Sequence, residues 1–398
     1  MFTRRSRSLG LLVCLVLGVG RAQARGGPAE PLPVFIALDA AYSQPFNTAP
    51  LAIERGVRAA LEEINARGGV LGGRPMRLLT TDNHGLAARG RENFERIAAQ
   101  RDVVAVLGGK FSPILVETVP EAQRLRVPLI SVWGSADPIT DHGHVPSYVF
   151  RLSLKDSWGV EALLKRARMS LGAQRVCAIL PSTAWGRSGQ AVLEARAAVH
   201  GVKVAATRWY QWGEQHFGDM LRACREAQAQ ALVLVANEPE GAALITQMAQ
   251  LPSGQRLPIV AHWGITGGQI HEMAGPALNR VKLQVIQTFS FIGNPRPAAQ
   301  RLAQWILRDA HLDSVWEIPS PVGSAQAYDM THLLALAVNR AGSTQGEAIR
   351  EALENLPAFE GAVRRYAPAF TRARHDALSP AQVMFVRIDR SGALIPLK

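Results

Sequence analysis

The chain has 398 residues, 47% hydrophobic and 19% charged, with a formal charge of +12 at pH 7, which gives enough apolar content for two core-bearing units and excludes a disordered chain. Its lysines and arginines are dispersed, with no basic run interleaved with aromatics and no helix-turn-helix or single-strand-binding signature, so the charge is not a nucleic-acid footprint. A Gly-x-x-x-x-Gly-Lys-Ser/Thr phosphate loop, a Gly-x-Gly-x-x-Gly turn after the first strand and a Gly-x-Ser-x-Gly elbow are all missing, which leaves ATP-driven work, dinucleotide redox chemistry and α/β-hydrolase catalysis without their motifs.

The first residues read as an export signal. Arg4, Arg5 and Arg7 precede an apolar run over 9–19, and Ala22-Gln23-Ala24 offers a small-x-small cleavage site. The run is shorter than the roughly 18 residues of a membrane span, so the expectation is a cleaved signal over 1–24, a mature chain from Arg25 and no stable membrane insertion. Loss of Arg4, Arg5, Arg7 and Arg21, with no acid among them, lowers the formal charge from +12 to +8. The Arg4-Arg5 pair leaves twin-arginine export open. Cys14 has too little apolar sequence before it for lipid attachment.

Beyond the signal, short apolar strands alternate with amphipathic helices. A strand over 34–38 leads to a helix over 51–65, where Ile53, Val57, Ala60, Leu61 and Ile64 share one face and Gly68-Gly69 ends the pattern. Strands over 76–81, 103–107 and 129–132 follow, separated by helices over 87–99 and 114–125. After Tyr148-Val149-Phe150-Arg151 a second series begins, with helices over 158–170, 188–200, 217–229 and 241–250 and strands over 176–180, 202–207, 231–235 and 259–261. Helices near 298–312 and 324–340 and a strand over 383–388, ended by the turn Asp389-Arg390-Ser391-Gly392, complete the chain. The alternation predicts an α/β fold with two mainly parallel sheets flanked by helices, hence two lobes.

Two cysteines remain after the signal, Cys177 on a predicted strand and Cys224 in a predicted helix. An oxidising compartment permits a disulfide, and two buried thiols are the favoured reading. Asp141-His142-Gly143-His144 is the most metal-like cluster and reads as a polar surface turn, because two close histidines lack further identified ligands. No metal and no cofactor is expected.

Two polar turns at strand ends carry the functional signal. Gly108-Gly109-Lys110-Phe111-Ser112-Pro113 follows the strand over 103–107, with Ser112 the predicted N-cap of the next helix and Pro113 at its first position. Val132-Trp133-Gly134-Ser135-Ala136-Asp137-Pro138 follows the strand over 129–132. Both offer free backbone N–H groups and a hydroxyl to one point, which suits a carboxylate or another small polar group.

The segment over 108–140, GGKFSPILVETVPEAQRLRVPLISVWGSADPIT, resembles without a gap the leucine/isoleucine/valine-binding family of periplasmic solute receptors, which have the type I periplasmic binding fold. EINARGGVLGGRPMRLLTTDN over 63–83, YVFRLSLKDSWGVEALL over 148–164, TAWGRSG over 183–189 and AYDMTHLLALAV over 327–338 resemble it in the same order. The resemblance implies three hinge crossings, near 148–152, 285–289 and 380–383. It implies an N-terminal lobe over 25–151 and 288–381, and a C-terminal lobe over 152–287 and 382–398. It also implies a non-enzymatic periplasmic protein that binds a small organic solute and delivers it to the permease and ATPase subunits of an ABC importer. A ligand-sensing receptor of the same fold is the alternative, and an enzyme the remote one.

Carried across by this resemblance, Ser112 contacts the ligand carboxylate, Trp133 and Ser135 hold its head group, and Trp185 closes over it from the second lobe. Ser112 and Ser135 could instead be plain helix caps, and Trp185 ordinary packing. In the first loop, Tyr42, Phe46 and Asn47 fall at contact positions. The loop His262-Trp263-Gly264-Ile265-Thr266-Gly267-Gly268 matches the family's other ligand loop, where amino-acid receptors carry an acid for the ligand's ammonium. Here Ile265 or Thr266 stands in that place, so Thr266 is a polar contact and an unpaired ammonium would be costly to bury. Asp137 or Glu238 could supply the acid from elsewhere. Lys110 reads as a solvated loop lysine, or as a source of local positive potential. The predicted solute is an amino acid, a small or aromatic carboxylate or an amide, with Trp133, Trp185 and Trp263 favouring an aromatic or apolar body.

Overall fold

The fold is seen in a computed structural model that describes residues 31–397; the expected export signal over 1–24 and Cys14 lie outside the described residues. Five parallel strands, β1 (Val34–Ala40), β2 (Met76–Asp82), β3 (Val103–Gly108), β4 (Leu129–Ser131) and β5 (Val149–Arg151), form one sheet in the order β2-β1-β3-β4-β5. Between them run α1 (Ala49–Ala66), α2 (Ala87–Ala98) and α3 (Ser112–Leu125). The central strand β3 is buried along its whole length, as an unbroken apolar run must be when helices cover both faces of a parallel sheet.

The second sheet grows from α4 (Asp156–Leu171), β6 (Arg175–Pro181), α5 (Ala184–Arg196), β7 (Lys203–Tyr210), α6 (Gly218–Glu226), β8 (Ala231–Leu234), α7 (Glu238–Gln250), β9 (Ile259–Ala261), α8 (Ile270–Ala274) and β10 (Leu283–Gln287). The chain then runs through α9 (Pro297–Ala310), α10 (Pro321–Ala341), α11 (Gly346–Leu353) and the small hairpin of β11 (Phe359–Glu360) and β12 (Arg365–Tyr366). Of these, α9 and α10 pack on α1, and α11 packs on β3. The chain returns to the second sheet as β13 (Met384–Ile388) and β14 (Leu394–Leu397), giving the order β14-β13-β10-β9-β8-β6-β7, in which β13 alone runs against the other strands.

The segment expected to be a crossing near 285–289 overlaps the end of β10, a buried strand paired with β9 and β13. The helix expected over 188–200 starts earlier, at Ala184, because the Thr183 side chain accepts from the Gly186 backbone N–H and caps it. Close contact of α1 with α10 depends on Gly56, where a Cβ would stand 2.1 Å from the Ser324 carbonyl oxygen.

Cys177 in β6 and Cys224 in α6 are joined by a disulfide with Cα atoms 5.4 Å apart, which corrects the expectation of two buried thiols. Both cysteines are fully buried among Phe217, Leu221 and Leu232. An apolar setting of that kind suits a thiol or a disulfide equally, so the pairing is decided by approach in space. The bond closes a loop across a sequence separation of 47, for which chain entropy gives about 4 kcal/mol. Reduction under native conditions should therefore lower the denaturation midpoint markedly, measured by urea titration of oxidised and reduced protein; coincident curves would show that the bond carries no stability.

Candidate functional site

Parallel sheets place the C-terminal ends of their strands along one edge, and the turns leaving those ends are where the two sheets meet. Lys110 leaves β3 and Glu238 opens α7. The lysine Nζ lies 2.6 and 2.5 Å from the two carboxylate oxygens, and each side chain is only 3% exposed. This corrects the reading of Lys110 as a solvated loop lysine. The pair fills the space in front of the loop after β9. A Cβ at Gly267 would stand 2.8 Å from Lys110 Nζ, and one at Gly268 would stand 2.6 Å from Glu238 Oε1, so these two positions must be glycine for the pair to fit.

Beside the ion pair the turns after β4 and β9 bring two indoles together. Trp133 and Trp263 have ring centroids 5.9 Å apart, and Trp185, at the start of α5, stands edge-on to His262 at 5.1 Å. Behind them His262 Nε2 lies 3.2 Å from Asp156 Oδ1, both side chains fully buried. Ser112, Trp133, Ser135, Trp185 and Trp263 enclose, with Lys110, a cavity of about 10 Å³, room for one water at most. A second cavity of about 290 Å³, lined also by Asn47, Glu238 and Glu240, shares Lys110, Phe111, Trp212 and Asn237 with the first. The Phe111–Trp212 pair, 5.1 Å between centroids, is thus part of the partition between them.

Ser112 does not cap α3. It is the first helical residue, Phe111 holds the cap position, and the Ser112 hydroxyl accepts from the backbone N–H groups of Ser135 and Ala136 at 3.1 and 3.2 Å. The N–H groups expected to be free for a ligand are therefore partly satisfied by the other turn, and the two turns are tied into one wall. Ser131 and Ser153 both donate to the Gly134 carbonyl at 2.7 Å. Burial, and then the nearby charge of Asp156, push the Asp137 carboxyl up to about 6, while its backbone N–H donates to Ser188 Oγ of α5.

Of the sequence candidates, Ser112, Trp133, Ser135 and Trp185 meet at the small cavity. Phe46 and Thr266 do not. The Phe46 ring is 52% exposed and its contribution is the backbone carbonyl, which accepts from the Gln269 N–H. The Thr266 hydroxyl is spent inside its own lobe, donating to the Trp263 carbonyl at 2.7 Å and accepting from Gln287 Nε2 at 2.8 Å. Tyr42 turns away to donate to Glu54, whereas Asn47 lines the larger cavity. The histidines of 141–144 lie together, yet no group of three or more metal-capable side chains occurs among the described residues.

Sequence reasoning missed Phe111, Trp212 and Asn237 as lining residues, and it missed Arg151 altogether. This fully buried arginine donates to the carbonyls of Ser135, Ala136 and Asp137 and to Thr140 Oγ1, and pairs through Nε with Asp376 at 2.9 Å. The one available signal was an arginine at the end of an apolar strand, where only a buried fork of donors explains the charge. Arg151→Met strands these acceptors and leaves Asp376 with only the Thr140 hydroxyl and the more distant Lys155 Nζ at 3.6 Å, so it should cost about 3–5 kcal/mol of stability. Chemical denaturation checks it, and an unchanged midpoint would show that the turn holds itself.

The model of the periplasmic binding protein family matches residues 33–393. Among solved structures, a periplasmic binding protein type 1 from Bordetella pertussis Tohama I is similar at 23% identity and a TM-score of 0.82, covering 92% of this chain and 100% of that one. The branched-chain amino acid transporter substrate binding protein LivJ from Streptococcus pneumoniae, in complex with isoleucine, is similar at 19% identity and 0.76, covering 92% and 99%. An ABC transporter solute binding protein from R. palustris in complex with benzoate is similar at 16% identity and 0.75, covering 92% and 95%. No curated protein matches in sequence. At such identities the structural likeness shows the two-lobed type I fold, and the family match extends over nearly the whole described chain: the protein belongs to the periplasmic binding protein family.

Proposed function

We propose that this solute-binding protein encloses a small carboxylate or amide with an aromatic or apolar body, and delivers it to the permease and ATPase subunits of an ABC importer in the periplasm, after export by the signal over 1–24. The observation that carries the reading is a set of donors without acceptors. Trp133, Trp185 and Trp212 line the small cavity, and the buried Nε1 of each has no hydrogen-bond partner in the protein. A buried unmade hydrogen bond costs about 1–3 kcal/mol, and a carboxylate or amide oxygen supplies the missing acceptor. The indole faces provide flat apolar surface for the rest of the solute.

The same site is poorly furnished for an α-amino acid. Glu238 is already engaged by Lys110 through both oxygens, and Asp156 lies behind the indoles against His262, lining neither cavity. Among similar structures, one holds isoleucine and another benzoate; the indole lining and the engaged acid favour the second kind of solute here. A cavity of about 10 Å³ admits neither, so entry requires the lobes to part and the Phe111–Trp212 partition to move.

Mature protein from Arg25, unfolded and refolded to strip carried ligand, should show a saturable rise in melting temperature with benzoate-type carboxylates or their amides, worth about 2.7 kcal/mol at a hundredfold excess over Kd. Response to aliphatic α-amino acids alone would overturn the reading. Trp185→Phe keeps an aromatic face while removing the N–H with the second ring, and should weaken that binding by roughly 0.5–1.5 kcal/mol, as calorimetric titration would show. Loss of solute uptake on deletion tests the delivery step.

A further inference from the structure

We propose that Lys110 is the specificity-determining residue of the cleft: its ammonium occupies the carboxylate of Glu238 in place of a solute ammonium, and so excludes α-amino acids and other amines. The inference deepens the solute reading above and rests on the cleft being the solute site.

The geometry has three parts. Lys110 Nζ reaches both oxygens of Glu238 at 2.5–2.6 Å, so the acid's charge is already matched by a cation. Both side chains are 3% exposed, and an amine that displaced Lys110 would leave the lysine charge unpaired in the buried seam. The loop after β9 offers no replacement acid, because Gly267 and Gly268 lie against the ion pair with no room for a side chain.

The other acids near the cleft are accounted for. Asp156, 3.2 Å from His262 Nε2 with neither oxygen hydrogen-bonded, and Asp137, which accepts from the Ser157 N–H, both line neither cavity. Glu240 lines the larger cavity with Oε1 accepting from the Gly213 N–H and Oε2 unpaired. Burial raises its carboxyl, with Glu238 adding to the rise and Lys110 opposing it, so Glu240 is the rival acid that the test must separate from Glu238. Lys110 comes from the first sheet and Glu238 from the second. A solute amine therefore competes with Lys110 at the step in which the lobes close.

The test compares L-phenylalanine with 3-phenylpropanoate, the same skeleton without the ammonium, by calorimetric titration of wild type, Lys110→Ala, Lys110→Ala/Glu238→Gln and Lys110→Ala/Glu240→Gln. Wild type should prefer 3-phenylpropanoate. Lys110→Ala should shift the preference toward phenylalanine by roughly 10–100-fold, the ratio expected for a hydrogen bond to a charged group. The shift should vanish with Glu238→Gln and survive Glu240→Gln; the reverse pattern would overturn the assignment to Glu238. Ethylammonium gives a readout that does not depend on the acid bound: it should raise the melting temperature of Lys110→Ala and leave wild type unmoved. If wild type binds neither compound, the aromatic-carboxylate reading fails alone and ethylammonium still decides the role of Lys110. If Lys110→Ala does not fold unaided, refolding is carried out with ethylammonium present, where recovery supports the proposal. No recovery, or a folded variant indifferent to ethylammonium with its preference unchanged, overturns it.

Discussion

Two charges buried between the sheets, Lys110 and Glu238, set the terms on which this molecule can close. Neither can be left in the interface alone, since an isolated buried charge costs several kcal/mol, so the lobes can meet only in the register that brings Nζ to both carboxylate oxygens. The backbone seam beside them follows from that register. Thr48 and Ala49 donate their N–H groups to the Gly267 carbonyl, and Gln269 donates to the Phe46 carbonyl. The seam in turn requires glycine at 267 and 268, because the ion pair and the Phe46 carbonyl take the volume of a Cβ.

The wall facing this pair is rigid for a different reason. A turn of irregular backbone buried between sheets carries carbonyl groups that no ladder satisfies, and Arg151 satisfies those of 135–137 in one planar fork. Asp376 neutralises the arginine from a segment that runs alongside β5, where the Arg151 N–H donates to the His375 carbonyl and its carbonyl accepts from the Ala377 N–H. The Ser112 hydroxyl then joins the two turns of the first lobe. Trp133 and Ser135 are thus held by a network anchored outside the cleft, which is what a preorganised binding wall needs.

Much of the fold was legible because its signals are local. Alternation of apolar strands with helices whose hydrophobic residues recur at helical spacing marks covered parallel sheets, and the turns after β3 and β4 stood out as Gly- and Ser-rich breaks between such elements. What was not legible depends on meetings in space. Lys110 looks like any loop lysine until Glu238, 128 positions later, is brought against it. Ser112 precedes a proline as an N-cap does, yet its hydroxyl is claimed by a turn 23 residues away. Cys177 and Cys224 sit among apolar residues that suit thiols, and only the packing of α6 beneath β6 joins them. Thr266 had the right residue type in the right loop, and its hydroxyl was taken by Trp263 and Gln287. Residue types and order were readable; which partner each polar group had already accepted was not.

The energetics of a buried ion pair also explain how such a cleft can be specific without being locked. Desolvating Lys110 and Glu238 costs about as much as their attraction returns, so the pair contributes orientation while leaving the free energy of closure near balance. The buried indole N–H groups of Trp133, Trp185 and Trp212 have no acceptor in the protein, and each adds a cost to the closed form that a solute oxygen can remove. A ligand shifts a two-state equilibrium only by its differential affinity for the two states. In this cleft that difference resides in the unpaired donors, which a carboxylate or amide satisfies only when the lobes have met around it. An ammonium gains nothing by the same closure, because the carboxylate that would receive it closes on Lys110 instead.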